Sequence, residues 1–234
     1  PELRPGLVEA DYEMFHLLGA IPGLTVIDPP AVYLANEFKL TTMQRLGAAG
    51  FPVVPTRACR GYQDVADAFR QWHRIVLKPT FTWGGTDVER IFDLDRDAPV
   101  IERLLARYQV LVCQPYIEHP QGDIRVTVVG DESPFTSRRI PAGGEHWKAN
   151  IAQGAVAEVI PTPPELAELA LAAAQLCQIT VAGLDFLDTP DGYQILEINN
   201  VPGWYWVPQS VQRVTMRSIF RMFEARVRDR VPVP

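Results

Sequence analysis

The 234-residue sequence is poor in the features that mark several large classes of protein. Its three cysteines, Cys59, Cys113 and Cys177, are widely spaced and form no Cys-x-x-Cys pair, which argues against a disulfide framework or a thiolate zinc site. No apolar run exceeds the length of a strand, and the first residues lack the basic start and apolar core of a signal peptide. We therefore expect reduced, buried thiols in a soluble, cytoplasmic protein that engages no membrane.

An excess of basic residues is also absent. The formal net charge is −6, which gives no overall positive field to attract nucleic acid. Hydrophobic residues make up 47% and charged residues 21% of the chain, as in an ordinary globular protein. No nucleic-acid partner is expected; the arginines of the last predicted helix keep that alternative in third place, and salt-dependent oligonucleotide binding would test it.

Signals for a nucleophilic side chain are missing as well. The four histidines show no ligand spacing, no Gly-x-Ser-x-Gly elbow is present, and no cysteine has a recognisable catalytic surround. We therefore expect these histidines and cysteines to have surface or core roles.

Strand and helix signals follow one another along the chain. Strands are predicted over 24–27, 53–56, 75–78, 88–92, 110–113, 122–129, 135–140, 181–187 and 193–199, and helices over 35–49, 63–72, 99–108, 164–178 and 207–231. Turn residues at 130–131 and 189–192 join neighbouring strands as hairpins. The pattern indicates an α/β or α+β mixture rather than a repeated βαβ series.

The second predicted hairpin carries a candidate metal site. Glu197 and Asn199 are two residues apart and share one face of their strand, while Asp185 lies on the partner strand. A loop with an odd number of residues places Asp185 opposite Glu197, whereas an even loop separates them. Carboxylate and amide oxygens suit Mg²⁺. The alternative is a solvated hairpin face.

Two further groups of charged residues are candidates for binding anions. Lys78 ends a strand and precedes a glycine-bearing loop over 80–85, whose backbone N–H groups are able to face a phosphate; the alternative is a solvated lysine. Asp123 and Arg125 share a strand face, and a cationic cluster follows at Arg138, Arg139, Lys148 and Asn150. This cluster suits phosphate or carboxylate, and its alternative is a set of scattered surface ion pairs. Trp204 and Trp206 either line a substrate pocket or pack under the last helix.

Seven segments occur in an order that is typical of one superfamily. They are Lys39, Lys78-Pro79, Gln114 to Ile117, Asp123 to Arg125, Trp147 to Asn150, Val181 to Asp185, and Glu197 to Gly203. Together they resemble the ATP-grasp ligases, and most of all the RimK-type glutamate ligases, from Asn36 to Trp204. The resemblance implies an α+β ATP-grasp fold in which two α+β subdomains enclose ATP.

The resemblance also assigns roles to individual positions. Lys39 and Lys78 match lysines that contact the phosphates, and Asp123 matches an acid at the ribose. Matches to the hinge around adenine and to a further nucleotide-binding stretch are Gln114, Pro115, Tyr116, Ile117, Lys148, Ala149 and Asn150. Asp185, Glu197 and Asn199 match the ligands of Mg²⁺, for which Mn²⁺ is an alternative. The loop over 80–85 looks like the mobile lid over the phosphates.

The implied activity is ATP-dependent ligation of a carboxylate to an amine through an acyl phosphate, with Arg125 and Arg139 as the expected catalytic cations. The expected partners are glutamate or another amino acid, a small acidic acceptor, and further copies of the chain in a homo-oligomer. The alternative is a degenerate ATP-grasp module that binds nucleotide or scaffolds a partner without turnover.

Three departures from the family pattern bear on these roles. Pro115 stands where relatives often carry an acid, Lys148 replaces a frequent arginine, and Asn-Asn-Val-Pro-Gly-Trp looks more like ligases of small cofactors such as tetrahydromethanopterin. Residues 1–35 look like the last elements of the family's N-terminal α/β domain, and residues 36–113 and 114–234 like its two subdomains. Because the sequence starts at Pro1 without an initiator methionine, we expect most of that domain to be missing here.

Overall fold

The computed structural model describes residues 8–143, 146–200 and 202–228. Its helices are α1 (Val8–Gly19), α2 (Pro30–Glu37), α3 (Lys39–Ala48), α4 (Tyr62–Trp72), α5 (Ala98–Arg107), α6 (Pro164–Leu176) and α7 (Gln209–Arg228). Its strands are β1 (Arg57–Cys59), β2 (Ile75–Pro79), β3 (Glu89–Ile91), β4 (Leu111–Pro115), β5 (Asp123–Val129), β6 (Glu132–Ile140), β7 (Val156–Ile160), β8 (Val181–Thr189) and β9 (Gly192–Asn199).

The strands form two antiparallel sheets, which makes the fold α+β as predicted. One sheet has the strand order β1-β4-β2-β3, and the other has the order β7-β6-β5-β8-β9. Helices α4 and α5 bury Val65, Ala68, Ile101 and Leu104 against the four-stranded sheet. Each sheet therefore has its own apolar core.

One face of the five-stranded sheet packs against the core, and the other carries charged residues. Along β5, Ile124, Val126 and Val128 point into the core that α3 and α6 cover. Because side chains alternate across a strand, Asp123 and Arg125 must point to the opposite face. The same alternation on β8 and β9 determines where the candidate site lies.

Two predicted elements near the N-terminal side are wrong. The run over 24–27 forms no strand, and Leu24 is exposed, because no described strand lies beside it to complete a backbone ladder. The predicted strand over 53–56 is reduced to a single bridge between Val53 and Ile195, and the strand proper, β1, begins at Arg57.

The predicted helix over 35–49 is two helices. Phe38 adopts an extended conformation with φ −89° and ψ 103°, so that α2 ends at Glu37 and α3 begins at Lys39. The backbone N–H of Lys39 donates instead to the carbonyl of Thr80, 3.0 Å away. This break brings Lys39 to the loop that follows β2.

Three elements of the structure were not predicted from the sequence patterns. Helix α1, strand β7 and a short 3₁₀ turn at Ile151–Gln153 are not predicted from the sequence. The proposed boundary after residue 113 falls inside β4, where Gln114 still pairs with Val76. Of the segments discussed above, residues 1–7, Gly144, Glu145, Val201 and the predicted helix end at 229–231 lie outside the described residues.

Candidate active site

A cavity of about 270 Å³ lies where the two sheets face each other. All fifteen predicted site residues line it: Lys39, Lys78, Gln114, Pro115, Tyr116, Ile117, Asp123, Arg125, Arg139, Lys148, Ala149, Asn150, Asp185, Glu197 and Asn199. Five of them are Lys or Arg and three are Asp or Glu, in a chain whose overall charge is negative. The cavity is therefore a local concentration of positive charge with carboxylates at one side.

The carboxylate side is a row of cross-strand pairs on the five-stranded sheet. Asp123 on β5 is paired in register with Arg139 on β6, and Arg125 on β5 with Asp185 on β8. Asp185 is in turn opposite Glu197 on β9. Residues opposite each other on one face have side chains within reach, so the first two pairs join opposite charges and the third brings two carboxylates together.

Asp185 is held by two guanidinium groups. Arg125 donates from Nε and Nη2 to its two oxygens at 2.6 and 2.7 Å, and Arg139 donates at 2.8 Å. The Asp185 residue is only 1% exposed. Burial alone would favour the neutral acid, but Arg125 and Arg139 hold the pKa of the carboxyl well below its ordinary value. Asp185 is therefore ionised and already neutralised within the protein.

Arg139 also forms the other buried pair of this face. It donates from Nε to Asp123 at 2.7 Å and from Nη2 to the second oxygen of the same carboxylate. These pairs raise the pKa of its guanidinium although burial opposes the charge. Arg125 and Arg139, predicted as catalytic cations, thus lie in the cavity wall and are engaged with Asp185 and Asp123.

The hairpin of β8 and β9 aligns its carboxylates by an unexpected route. Its turn holds two residues between Thr189 and Gly192, an even number that by itself separates Asp185 from Glu197. A register shift between Asp185 and Phe186 adds one residue, Leu196, to β9 and restores the alignment. Asp185 and Glu197 thus lie opposite each other although the loop is even, so the expectation that an even loop separates them fails here.

Glu197 and Asn199 leave oxygen atoms for a cation. The Glu197 carboxylate makes no hydrogen bond to the described residues. Asn199 donates from Nδ2 to Asp185 at 3.2 Å and to the Gly183 carbonyl at 3.3 Å, so its Oδ1 remains an acceptor. No group of three His, Cys, Asp or Glu side chains suited to a metal occurs among residues 8–143, 146–200 and 202–228. Two carboxylates and an amide oxygen nevertheless fit Mg²⁺, which needs few protein ligands when phosphates supply others.

Lys78 supplies an unpaired cation from the opposite sheet. It lies near the end of β2 and is 5% exposed, and its ammonium group makes no hydrogen bond to the described residues. Burial lowers the pKa of its ammonium group to about 8, although Glu197 and Asp185 favour the charged form. The alternative of a solvated lysine is wrong, and an anion entering the cavity would meet a charge that no carboxylate neutralises directly.

The loop between β2 and β3 closes one side of the cavity. Lys39 donates from Nζ to the Thr82 carbonyl at 2.6 Å, and Lys148 donates from Nζ to the Gly85 carbonyl at 3.1 Å. A side chain at Gly85 would place its Cβ 2.7 Å from Asn150 Oδ1, and the residue has φ +76°. The left-handed backbone favours glycine at this position, and any side chain here would also have to displace the Asn150 amide.

The predicted hinge segment forms another edge of the cavity. Gln114 is buried and donates to Thr56 Oγ1 at 2.9 Å. The backbone N–H of Tyr116 donates to the Arg74 carbonyl at 2.9 Å, and the Ile117 carbonyl accepts from His119 Nδ1 at 2.7 Å. Tyr116 packs edge-on against Trp147 with ring centroids 5.7 Å apart.

Sequence reasoning missed several contributors. Arg90 lies over the rings of Tyr116 and Trp147 at 5.9 and 5.2 Å, although no motif marks it. Trp206 lines the cavity, which was one of the two roles considered for it from the sequence. Arg138, placed in the cationic cluster from the sequence, points to the other side of β6 and reaches the Gln121 carbonyl at 3.4 Å.

A partly buried carboxylate beside the cavity was also missed. Glu37 accepts from Trp83 Nε1 at 3.1 Å and from Asn200 Nδ2 at 2.6 Å. Burial raises the pKa of Glu37, against these hydrogen bonds. The Glu37 side chain thus joins the end of α2, the loop over 80–85 and the end of β9. The hydrophobic periodicity of the sequence does not reveal such a contact.

Comparison with known families agrees with this geometry. The sequence pattern of the RimK-like ATP-grasp domain matches residues 36–213. The chain therefore belongs to the RimK-like ATP-grasp family, as the order of its motifs predicts.

Individual relatives are moderately similar. Tetrahydromethanopterin:alpha-L-glutamate ligase of Methanocaldococcus jannaschii is 28% identical over 187 residues, which are 77% of this chain and 64% of the relative. Alpha-aminoadipate–LysW ligase LysX of Sulfurisphaera tokodaii is 31% identical over 183 residues, or 75% of this chain and 63% of the relative. The chain thus spans just under two thirds of the length of these curated relatives.

Solved structures show the same fold. The ATP-grasp ligase PsnB, in complex with a phosphomimetic variant of its minimal precursor, Mg and ADP, superimposes with a TM-score of 0.68. The two are 21% identical, and the match covers 92% of this chain and 69% of PsnB. This likeness confirms the predicted ATP-grasp fold. Among the described helices, none is both long and apolar enough to cross a membrane.

Proposed function

We propose that this chain carries the nucleotide-binding and catalytic core of an ATP-dependent carboxylate–amine ligase. The observation that carries the proposal is the convergence of Lys39, Lys78 and Lys148 with Glu197 and Asn199 around one cavity. The curated relatives described above are named as ligases that join glutamate or alpha-aminoadipate to another molecule. Family and site chemistry therefore point to the same reaction class.

Glu197 and Asn199 would hold a Mg²⁺ ion, and Asp185 would contribute through an oxygen that it now shares with its arginines. When bound, the ion would neutralise phosphate charge and orient the phosphates for transfer. Mn²⁺ would suit the same hard oxygen ligands. The lysines would hold the phosphates from the side opposite the carboxylates.

The remaining steps need no side-chain nucleophile. A substrate carboxylate oxygen attacks the terminal phosphorus of ATP and ADP leaves; an amine then attacks the acyl carbon and phosphate leaves. Lys78, Arg125 and Arg139 would stabilise negative charge on the transferred group. The loop over 80–85, tied down by Lys39 and Lys148, would exclude the water that otherwise hydrolyses the acyl phosphate.

The hinge segment would read the nucleotide base and sugar. In this proposal backbone groups of Gln114, Pro115, Tyr116 and Ile117 face adenine, so that the proline at 115 is tolerated. Asp123 would lie at the ribose, and Ala149 and Asn150 would complete the nucleotide contacts. The surplus of cations favours glutamate or another amino acid and a small acidic acceptor as substrates.

One observation favours a second candidate, a nucleotide-binding or scaffolding module without turnover. Both oxygens of Asp185 are occupied by Arg125 and Arg139, so the metal site is partly neutralised before any ion binds. A module that only binds nucleotide would keep this arrangement unchanged.

Product formation separates the two candidates. We would measure ADP and phosphate release with Mg²⁺ across amino acids and acidic acceptors, and identify products by mass. The ligase predicts acceptor-dependent turnover that Glu197→Gln abolishes while the variant keeps its melting temperature. Nucleotide binding without turnover across a broad panel would contradict the ligase and support the binding module.

A further inference from the structure

The last helix carries an exposed apolar stripe. Met216, Phe220, Phe223 and Val227 are spaced by four, three and four residues along α7. All four side chains are exposed, and Phe220 is exposed to 61%. This is the spacing of the contact seam between two packed helices, and a stripe of this kind is unusual on a monomer surface.

The stripe takes no part in holding α7 to its own sheet. The opposite side of the helix does so, with Thr215 and Ser218 buried and the Ser218 hydroxyl bonded to Glu132 on β6. Arg221 donates to the same carboxylate at 3.1 Å. The helix is thus fixed by one face and leaves the apolar face without a partner among the described residues.

We propose that this stripe is the contact between two copies of the chain, with the two α7 helices packed antiparallel about a two-fold axis. In that arrangement Phe220 lies opposite Phe223 of the second copy, and Met216 opposite its Val227. Because the axis repeats every contact, the four apolar positions form four consecutive layers. No other antiparallel alignment of the two helices keeps all four positions in register.

Charge complementarity supports the antiparallel direction. Arg217 and Glu224 lie on the same flank of the stripe, and both are exposed. Packed antiparallel, Arg217 of each copy comes beside Glu224 of the other, giving two ion pairs. Packed parallel, Glu224 would instead face the half-buried Ile219. Within one chain Glu224 is only weakly engaged, 4.0 Å from Arg228.

The test uses the charge pair. Light scattering and sedimentation across a concentration series should give twice the 26.2 kDa chain mass for the unmodified protein. Arg217→Glu and Glu224→Arg should each weaken dimerisation at least about tenfold, since like charges then meet twice. Phe220→Asp should abolish it. The control Glu102→Arg, with the same charge change on exposed α5, should have no effect.

Mixing the two single variants gives the decisive result. Arg217→Glu and Glu224→Arg chains together restore both ion pairs, so the mixture should dimerise as well as the unmodified protein. A monomeric unmodified chain at all concentrations would overturn the proposal. So would a dimer that ignores these substitutions, or single variants that stay monomeric when mixed.

Discussion

Two buried cations on opposite walls of the cavity differ in their partners. The ammonium group of Lys78, on the four-stranded sheet, makes no hydrogen bond to the described residues, and burial lowers its pKa to about 8. Arg139, on the five-stranded sheet, is paired with both Asp123 and Asp185, which raise its pKa. The comparison teaches that Lys78 keeps its whole charge for a ligand, whereas Arg139 divides its charge between two carboxylates and the cavity.

The largest expected effect comes from breaking the paired cation. Arg139→Met leaves the buried carboxylate of Asp123 without its partner, while Asp185 keeps Arg125, and should lower the free energy of unfolding by about 3–5 kcal/mol. Urea unfolding measures the loss. The adjacent Arg138→Met is the matched control, because Arg138 lies on the other side of β6 and should cost less than about 0.5 kcal/mol. Equal losses for both variants would show that the buried pairs are not what stabilises this sheet.

Removing the unpaired cation Lys78 should not lower stability, in contrast to removing Arg139. Lys78→Met replaces a desolvated charge by an apolar chain of similar length, so stability should be maintained or should rise. Nucleotide affinity should fall about 10-fold to 100-fold, the value of a charge-assisted contact. Calorimetric titration with ATP measures it, and exposed Arg60→Met controls for the lost charge. Unchanged affinity would mean that Lys78 does not face the phosphates.

A pH series sharpens the same comparison. The lysine pKa falls from 10.5 to about 8 on folding, so between these values the unfolded chain binds the proton that the folded chain has released. The free energy of unfolding should therefore rise with pH across this window, by up to about 1.4 kcal/mol per pH unit from this group. Subtracting the curve for Lys78→Met isolates the effect. A difference curve that is flat from pH 8 to 10 would contradict the lowered pKa.

The smallest effect is expected at the loop over 80–85. Trp83→Phe keeps the ring but removes the N–H that donates to Glu37. Removing this donor from the partly buried carboxylate should cost about 0.5–1.5 kcal/mol, part of it as weaker closure over the nucleotide. We expect the KM for ATP to rise several-fold with little change in kcat. Phe81→Leu, at a neighbouring ring of the same loop, is the control for lost packing.

Much of the site could be predicted because strand alternation is a short-range rule. It places Asp123, Arg125, Asp185 and Glu197 on one face as soon as the strands are identified. The partners of these charges could not be predicted from spacing. Arg125 and Arg139 were expected to act on substrate, and only the register of β5, β6 and β8 shows that they bind Asp185 and Asp123.

Other features depend on contacts between distant segments. The break at Phe38 accompanies a hydrogen bond from the Lys39 N–H to the Thr80 carbonyl. The extra residue Leu196 is set by the register in which β8 and β9 pair. Nothing in the sequence beyond its motif marks Gly183 as sterically confined, yet a Cβ added there would lie 3.2 Å from Arg125 Cδ. Local patterns do not contain this information, because tertiary packing overrides them.

The central claim is that both walls act on one metal–nucleotide complex. The most direct measurement is calorimetric titration with a non-hydrolysable ATP analogue, with and without Mg²⁺, on the unmodified protein and on Glu197→Gln. The account predicts that Mg²⁺ strengthens binding to the unmodified protein and that the variant loses this gain while retaining metal-free binding through Lys39 and Lys78. Equal gains from Mg²⁺ in both proteins would contradict it.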